Sequence, residues 1–307
     1  MSGDWSPDVA RLADFDEDEW ARVERAYAGR LIAYIGRRVA DAEARDDIVQ
    51  EAFLGAVRGI GTFDSKYSFE QYLFGICRNR TIDHLRKRRA VGSGHGGAEA
   101  DADAPAFDLD TLALNEDTPS RIVRRSDVQG RGRELLRDAL RDWVQDTWAA
   151  GEFNRLMVIE ALFHGGWRNR DTWERFGLRD ETAVAGVKFR ALKKLRESVA
   201  KQDPEGDAVQ ALGAQVDDGE VPIDVATVWA EDRVSCPARH WIARWIAGTL
   251  EEGPRDFVSF HVDEMQCEWC SANRDDLSHR DEEALEPLLV SVRASTAKLL
   301  RSRVDRQ

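Results

Sequence analysis

The chain has 307 residues, enough for two or three small domains with separate cores, and at 42% hydrophobic and 33% charged it reads as soluble and helix-leaning. No apolar run approaches the roughly eighteen residues that cross a bilayer, and the start Met1-Ser2-Gly3-Asp4-Trp5 lacks a secretory signal, so a cytoplasmic location is expected. The net charge of −13 does not exclude a nucleic-acid partner, because seven acids in residues 90–120 and nine in residues 202–232, with no Lys or Arg in either stretch, leave the rest of the chain at +3.

From Glu17 to Asp41, Trp20, Val23, Tyr27, Leu31, Ile32 and Ile35 recur at three- and four-residue steps and predict a helix. A second helix follows from Arg45, with Val49, Phe53, Ala56 and Ile60 as its buried stripe and Ala52 and Val57 widening it. The opposite face carries Asp47, Gln50, Glu51, Leu54 and Arg58. That face suits either a solvated surface or a helix docked on a partner. The connection from Gly61 to Ser68 holds Phe63, Asp64, Lys66 and Tyr67 and leads into Phe69, Tyr72 and Phe74. Its rings either pin the loop to the core or serve as platforms for unpaired bases. On the next helix Tyr72, Asn79, Asp83 and Arg86 share one stripe, while Leu73, Ile76, Cys77 and Leu85 favour the other side. Six Arg or Lys against Asp83 alone between Arg78 and Arg89 give +5, a footprint for phosphates.

The runs DDIVQEAF, FDSKYSFEQYL and ICRNRTIDHLRKRR, in this order, resemble region 2 of bacterial RNA polymerase sigma factors of the extracytoplasmic-function group. The resemblance implies contact between Asp47, Gln50, Glu51 and Leu54 and the clamp helices of the polymerase largest subunit. It also implies that Phe63, Lys66, Tyr67, Arg78, Asn79, Asp83 and Arg86 open and read the minus-ten promoter element. Tyr72 stands where a Trp is usual in that group, and Cys77 where a small Ala is usual.

Residues 90–118 are rich in Gly, Ala, Asp and Pro and form an acidic linker, either a passive tether or, by the resemblance, a segment that crosses the polymerase near the RNA exit path. In the module expected over 119–201, Leu135, Leu136, Leu140 and Trp143 begin one amphipathic helix, and Leu156, Val158, Ile159 and Leu162 belong to another. A helix ending at Phe176-Gly177, a turn with Leu178 and a helix from about Glu181 fit a helix-turn-helix. Val184, Val187, Ala191 and Leu195 would pack inward and leave Thr182, Gly186, Arg190 and Lys193 outside. This segment resembles region 4 of the same group, the reader of the minus-thirty-five element. Arg179 and Thr182 are then the base-edge candidates and Arg190 and Lys193 the phosphate candidates.

After a second acidic linker, 202–232, a piece spanning 233–307 gathers Cys236, His240, His261, Cys267 and Cys270. Cys236, His261, Cys267 and Cys270 make a Cys-His-Cys-Cys set of the type that holds zinc, with His240 a surface neighbour. Three readings stay open: a zinc site, buried thiols and imidazole in a small helical core, or a Cys267–Cys270 redox disulfide. The pattern resembles the zinc-binding domain of anti-sigma factors, although here the His precedes the Cys-x-x-Cys pair by six residues rather than four. The last helix, Glu282 to Arg303, offers Leu285, Leu288, Leu289, Val292 and Leu299 for packing on this domain or on a partner.

The whole therefore predicts an all-α protein: sigma region 2 over 17–89, a region 4 helix-turn-helix over 119–201 and a regulatory zinc-finger-like domain at the end. Core polymerase and promoter DNA are the expected partners, with no enzymatic activity of its own. A stand-alone helix-turn-helix regulator is the main alternative, and it leaves the Asp47-Gln50-Glu51-Leu54 face unexplained. A zinc enzyme is the other, and it needs an open metal position and a nearby base such as Glu264 or Glu268.

Overall fold

Aspartates set the start of four helices in the computed structural model, which describes residues 5–65, 67–92, 127–203, 225–279 and 281–304. Asp8 caps α1 (Val9–Ala13), Asp16 caps α2 (Glu17–Gly36), Asp41 caps α3 (Ala42–Gly59) and Asp180 caps α8 (Glu181–Gln202). In each case the carboxylate accepts a backbone N–H that the first helical turn leaves unpaired. α4 (Phe69–Gly92) starts from a reciprocal capping box: the Ser68 amide donates to the Gln71 side chain at 2.9 Å and the Gln71 amide to Ser68 Oγ at 3.1 Å. The remaining helices are α5 (Asp127–Ala149), α6 (Phe153–Phe163), α7 (Asn169–Arg175), α9 (Val225–Glu231), α10 (Arg239–Ile246), α11 (Glu252–Ser259), α12 (Glu268–His279) and α13 (Glu282–Val304). The described residues contain no strand, so the fold is all-α as the periodicity predicts. None of their helices is long and apolar enough to cross a membrane.

The chain divides into two units, residues 1–122 with 272–307, and residues 123–271. In the first, α2 buries Trp20, Val23, Tyr27, Leu31 and Ile35, and Tyr34 is buried where the pattern points to Ile32. Val49, Phe53 and Ala56 of the α3 stripe are fully inside, as is Ile60 in the 3-10 turn that follows, with Leu73, Phe74 and Cys77 of α4 against α3. The fourth wall is α13, which lies on α2 and α3 and buries Leu288, Leu289, Val292, Thr296 and Leu300. Gly29 leaves room for the close approach to α2: a Cβ there would collide with Asp276 Oδ1 and sit 3.3 Å from Leu285. Arg37, at the end of α2, adds an ion pair to Asp275 at 2.9 Å.

In the second unit, α5 and α6 pack together and carry α8. α9 and α11 close the same core: Trp229 meets Trp143 and Phe163, and Phe257 meets Trp148 edge-on at 5.3 Å. The stretch expected as one C-terminal domain is thus divided, 233–271 going to the second unit and 272–304 to the first. Most of the two acidic linkers lies outside the described residues; residues 90–92 continue α4, and residues 225–231 form α9.

A buried acid marks the seat of α13. Glu24 Oε1 accepts from Thr296 Oγ1 at 2.5 Å, and Arg293 Nε stands 3.9 Å from Oε2. Burial raises the Glu24 pKa from 4.5 to about 7, against the opposing pull of Thr296 and Arg293. The folded unit therefore keeps a proton that the unfolded chain releases, so this group's contribution makes stability fall as pH rises from 4.5 to about 7. Glu24→Gln should abolish that slope and stabilise the first unit above neutral pH by about 1–3 kcal/mol, read from urea unfolding at a series of pH values.

Candidate protein-, nucleic-acid- and metal-binding sites

On α3, Asp47 and Glu51 are exposed, and Gln50 and Leu54 are half-buried. Their shared face follows from helical spacing, since Val49, Phe53 and Ala56 turn inward. Gln50 is engaged: its side-chain amide donates to Ser295 Oγ of α13. The last helix thus reaches the edge of the face that the sequence offers to a partner.

The aromatic loop is built inward. Phe63 packs edge-on against Tyr72 at 5.2 Å and Phe69 at 6.3 Å, and the Tyr72 hydroxyl donates to the Ala56 carbonyl at 3.0 Å. Burial pushes the Tyr72 phenol up to about 12, so it stays a neutral donor. Phe63 and Tyr67 remain half-exposed, while Phe69 is fully covered. Lys66 lies outside the described residues. Along α4, Arg78 and Asn79 are half-exposed and Asp83 and Arg86 exposed, with Lys87 and Arg88 continuing the basic end.

α7 and α8 form the predicted helix-turn-helix. Gly177 sits in the turn with φ +60°, a conformation that costs a side-chain-bearing residue energy. Val184, Ala191 and Leu195 are buried, whereas Val187 is only half-covered. Thr182, Arg190 and Lys193 are exposed along the outer face. Arg179 lies against Asp180 at 2.9 Å, and the Ala183 N–H together with Arg179 holds that capping carboxylate below its ordinary pKa. Such an exposed pair exchanges readily for another anion.

Cys236, His261, Cys267 and Cys270 converge, with their donor atoms all within 4.8 Å of one another. Cys236 Sγ and Cys267 Sγ are 3.6 Å apart, close to the spacing of about 3.8 Å that two zinc–sulfur bonds of about 2.3 Å subtend in a tetrahedron. All four cysteines are free thiols. His261 comes from a π turn, Phe260–Glu264, that prolongs α11, and Gln266 follows in a left-handed conformation at φ +51°. These two irregularities absorb the extra residues between the His and the Cys pair. Hydrogen bonds from Cys236 and Cys270, then the His261 charge, hold the Cys267 thiol well below its ordinary pKa, although burial opposes them. Burial lowers the His261 pKa, yet Glu160 and Cys267 more than offset it and leave it raised. The set fits a metal because His261 Nε2 is buried with no hydrogen-bond partner while Nδ1 is already used. His240 is exposed, stacked near Trp241, as expected of a surface neighbour.

Three residues that the sequence reading leaves out take part in these sites. Ser295 meets Gln50, and nothing in its local pattern announces that contact. Phe189 stands 65% exposed on the outer face of α8 among Lys188, Arg190 and Lys193. Glu160 is wholly buried on α6 and bonded to His261 Nδ1 at 2.5 Å. A lone acid inside the apolar run LMVIEALF was its available signal.

Comparison with known proteins agrees with the first unit. The sigma-70 region 2 family matches residues 25–91. The chain is 27% identical over 137 residues to the RNA polymerase sigma-H factor of Pseudomonas aeruginosa, covering 44% of this chain and 68% of that protein. It is 32% identical over 81 residues to the ECF RNA polymerase sigma factor SigW of Bacillus subtilis, spanning 26% of this chain and 43% of the relative. With the ECF RNA polymerase sigma factor BldN of Streptomyces coelicolor it shares 33% over 82 residues, 26% of this chain and 31% of that one. No solved structure matches. Residues 25–91 thus match a sigma-70 region 2 domain, and over that part the chain is similar to RNA polymerase sigma factors, two of them of the extracytoplasmic-function group.

Proposed function

We propose that this chain directs core RNA polymerase to promoters in the cytoplasm and that its own last helix competes with the polymerase for α3. The relatives support the role in promoter recognition and initiation. The observation that carries the competition is the bond between Gln50 and Ser295. Asp47, Gln50, Glu51 and Leu54 form the polymerase face, and α13 uses one edge of it. Phe63, Lys66, Tyr67 and the α4 residues Arg78, Asn79, Asp83 and Arg86 engage the minus-ten element, the basic end holding phosphates while the half-exposed rings take unpaired bases. On α8, Thr182 and Arg179 approach base edges, Arg190 and Lys193 hold phosphates, and Phe189 offers an apolar surface suited to a thymine methyl. The reading assigns no catalytic residue, since the polymerase performs the chemistry.

Zinc fits Cys236, His261, Cys267 and Cys270. Bound there it supplies a cross-link between the turn after α9, the π turn and α12, not a reaction centre, because four protein donors leave no open position. One zinc per chain should copurify with the protein, and Cys270→Ser should lose it, as measured by elemental analysis.

Asp47→Lys combined with Leu54→Ala should abolish binding to bacterial core polymerase and run-off transcription while promoter-independent folding, read by circular dichroism, is kept. Unchanged transcription would return the chain to a polymerase-independent regulator. Leu289→Asp with Val292→Asp should free α13 and raise apparent affinity for core about tenfold or more, since only the undocked fraction binds. Equal affinity, measured by fluorescence anisotropy of the labelled full chain, would assign α13 a purely structural role.

A further inference from the structure

A carboxylate inside an apolar core costs several kcal/mol unless it is paired and hydrogen-bonded. Glu160 occupies such a place. It lies on α6, beneath the helix-turn-helix, with Leu156, Val158, Ile159 and Leu162 buried around it in sequence. Its Oε1 accepts from Ser235 Oγ at 2.8 Å and faces His261 Nδ1 at 2.5 Å. Trp229 Nε1 donates to the same Ser235 Oγ at 2.8 Å, and Ser235 directly precedes Cys236. The side chains of Glu160, Trp229, Ser235 and His261 are all buried.

The arrangement fixes which nitrogen of His261 is free. With Nδ1 donating to Glu160, Nε2 is the nitrogen left for the three thiols and for a metal, and it has no hydrogen-bond partner. A metal-bound imidazole is commonly oriented by a carboxylate on its other nitrogen. Here that carboxylate comes not from the cysteine-bearing segment but from α6, 101 residues earlier in the chain.

We propose that Glu160 is the positioning residue of the metal centre, so that metal occupancy and the anchoring of residues 229–270 on α6 are one linked equilibrium. The linkage is reciprocal: what tightens the seat of His261 on α6 tightens the metal, and removal of the metal loosens the core that carries the helix-turn-helix. The metal state of the thiols is thereby communicated to the DNA-reading module without a separate partner. This rests on reading the four-donor cluster as a metal site.

The test uses the full chain and Co(II), whose thiolate charge-transfer bands report the ligand set, with affinity measured by chelator competition. Glu160→Gln should keep the cobalt spectrum but weaken affinity by about 10- to 100-fold. In wild type, zinc loading should slow amide hydrogen exchange in residues 153–163 as well as in 261–271. An affinity within threefold of wild type in Glu160→Gln, or zinc protection confined to 261–271, would overturn the proposal while leaving the metal site standing. Absence of one bound cobalt in wild type would overturn the metal reading itself, and the linkage with it. The exchange measurement needs no variant, so a Glu160→Gln chain that fails to fold still leaves a decisive result.

Discussion

Two buried carboxylates determine where the end of this chain goes. Glu24 of α2 is met by Thr296, and Glu160 of α6 by Ser235 and His261. An acid with no partner in either place would destabilise its helix packing severely. Each acid therefore selects against any arrangement in which its C-terminal partner is missing. Segments after the helix-turn-helix complete the cores of both units, which is why the chain divides at residue 271 and not at the linker after α8.

The electrostatics of the two acids differ in consequence. Glu24 sits near a single arginine and a hydroxyl, so burial dominates and the carboxyl is held in its neutral form into the neutral pH range. A neutral Glu24 suits a contact that can open, because breaking it exposes a group whose charge water then welcomes. Glu160 instead shares its oxygen with two donors in a region where three thiols and an imidazole meet. That contact gains from every group that fixes the imidazole.

Function follows from how these cores present their outer faces. A helix that buries Val49, Phe53 and Ala56 must show Asp47, Gln50 and Glu51 outward. The same holds for α4, whose inward Leu73 and Cys77 turn Asn79, Asp83 and Arg86 toward solvent, and for α8, whose inward Val184, Ala191 and Leu195 turn Thr182, Arg190 and Lys193 out. The acidic surplus lies in the linkers, so the basic faces of α4 and α8 keep their local sign despite the overall charge of −13. α13 is amphipathic in the same sense, but its apolar side is already spent on α2 and α3.

Local pattern was enough for much of this. The three- and four-residue recurrence of apolar residues located α2, α3 and α8, Gly177 the turn, and the Cys267-x-x-Cys270 spacing the candidate metal donors. Each of these signals is written within one or two turns of chain, where spacing translates directly into a shared face. The pattern erred by degrees where tertiary neighbours decide burial, as at Ile32 and Val187, and it carries no sign of the edge-on contact between Phe63 and Tyr72. Long-range partners were not legible at all. Whether α13 covers α2 and α3 or the cysteine-bearing segment, and whether Glu160 is a misplaced surface acid or the partner of His261, depends on which surfaces complement each other across a hundred residues or more. A one-dimensional repeat carries no information on that; only the folded chain, by bringing Thr296 to Glu24 and Ser235 with His261 to Glu160, decided it.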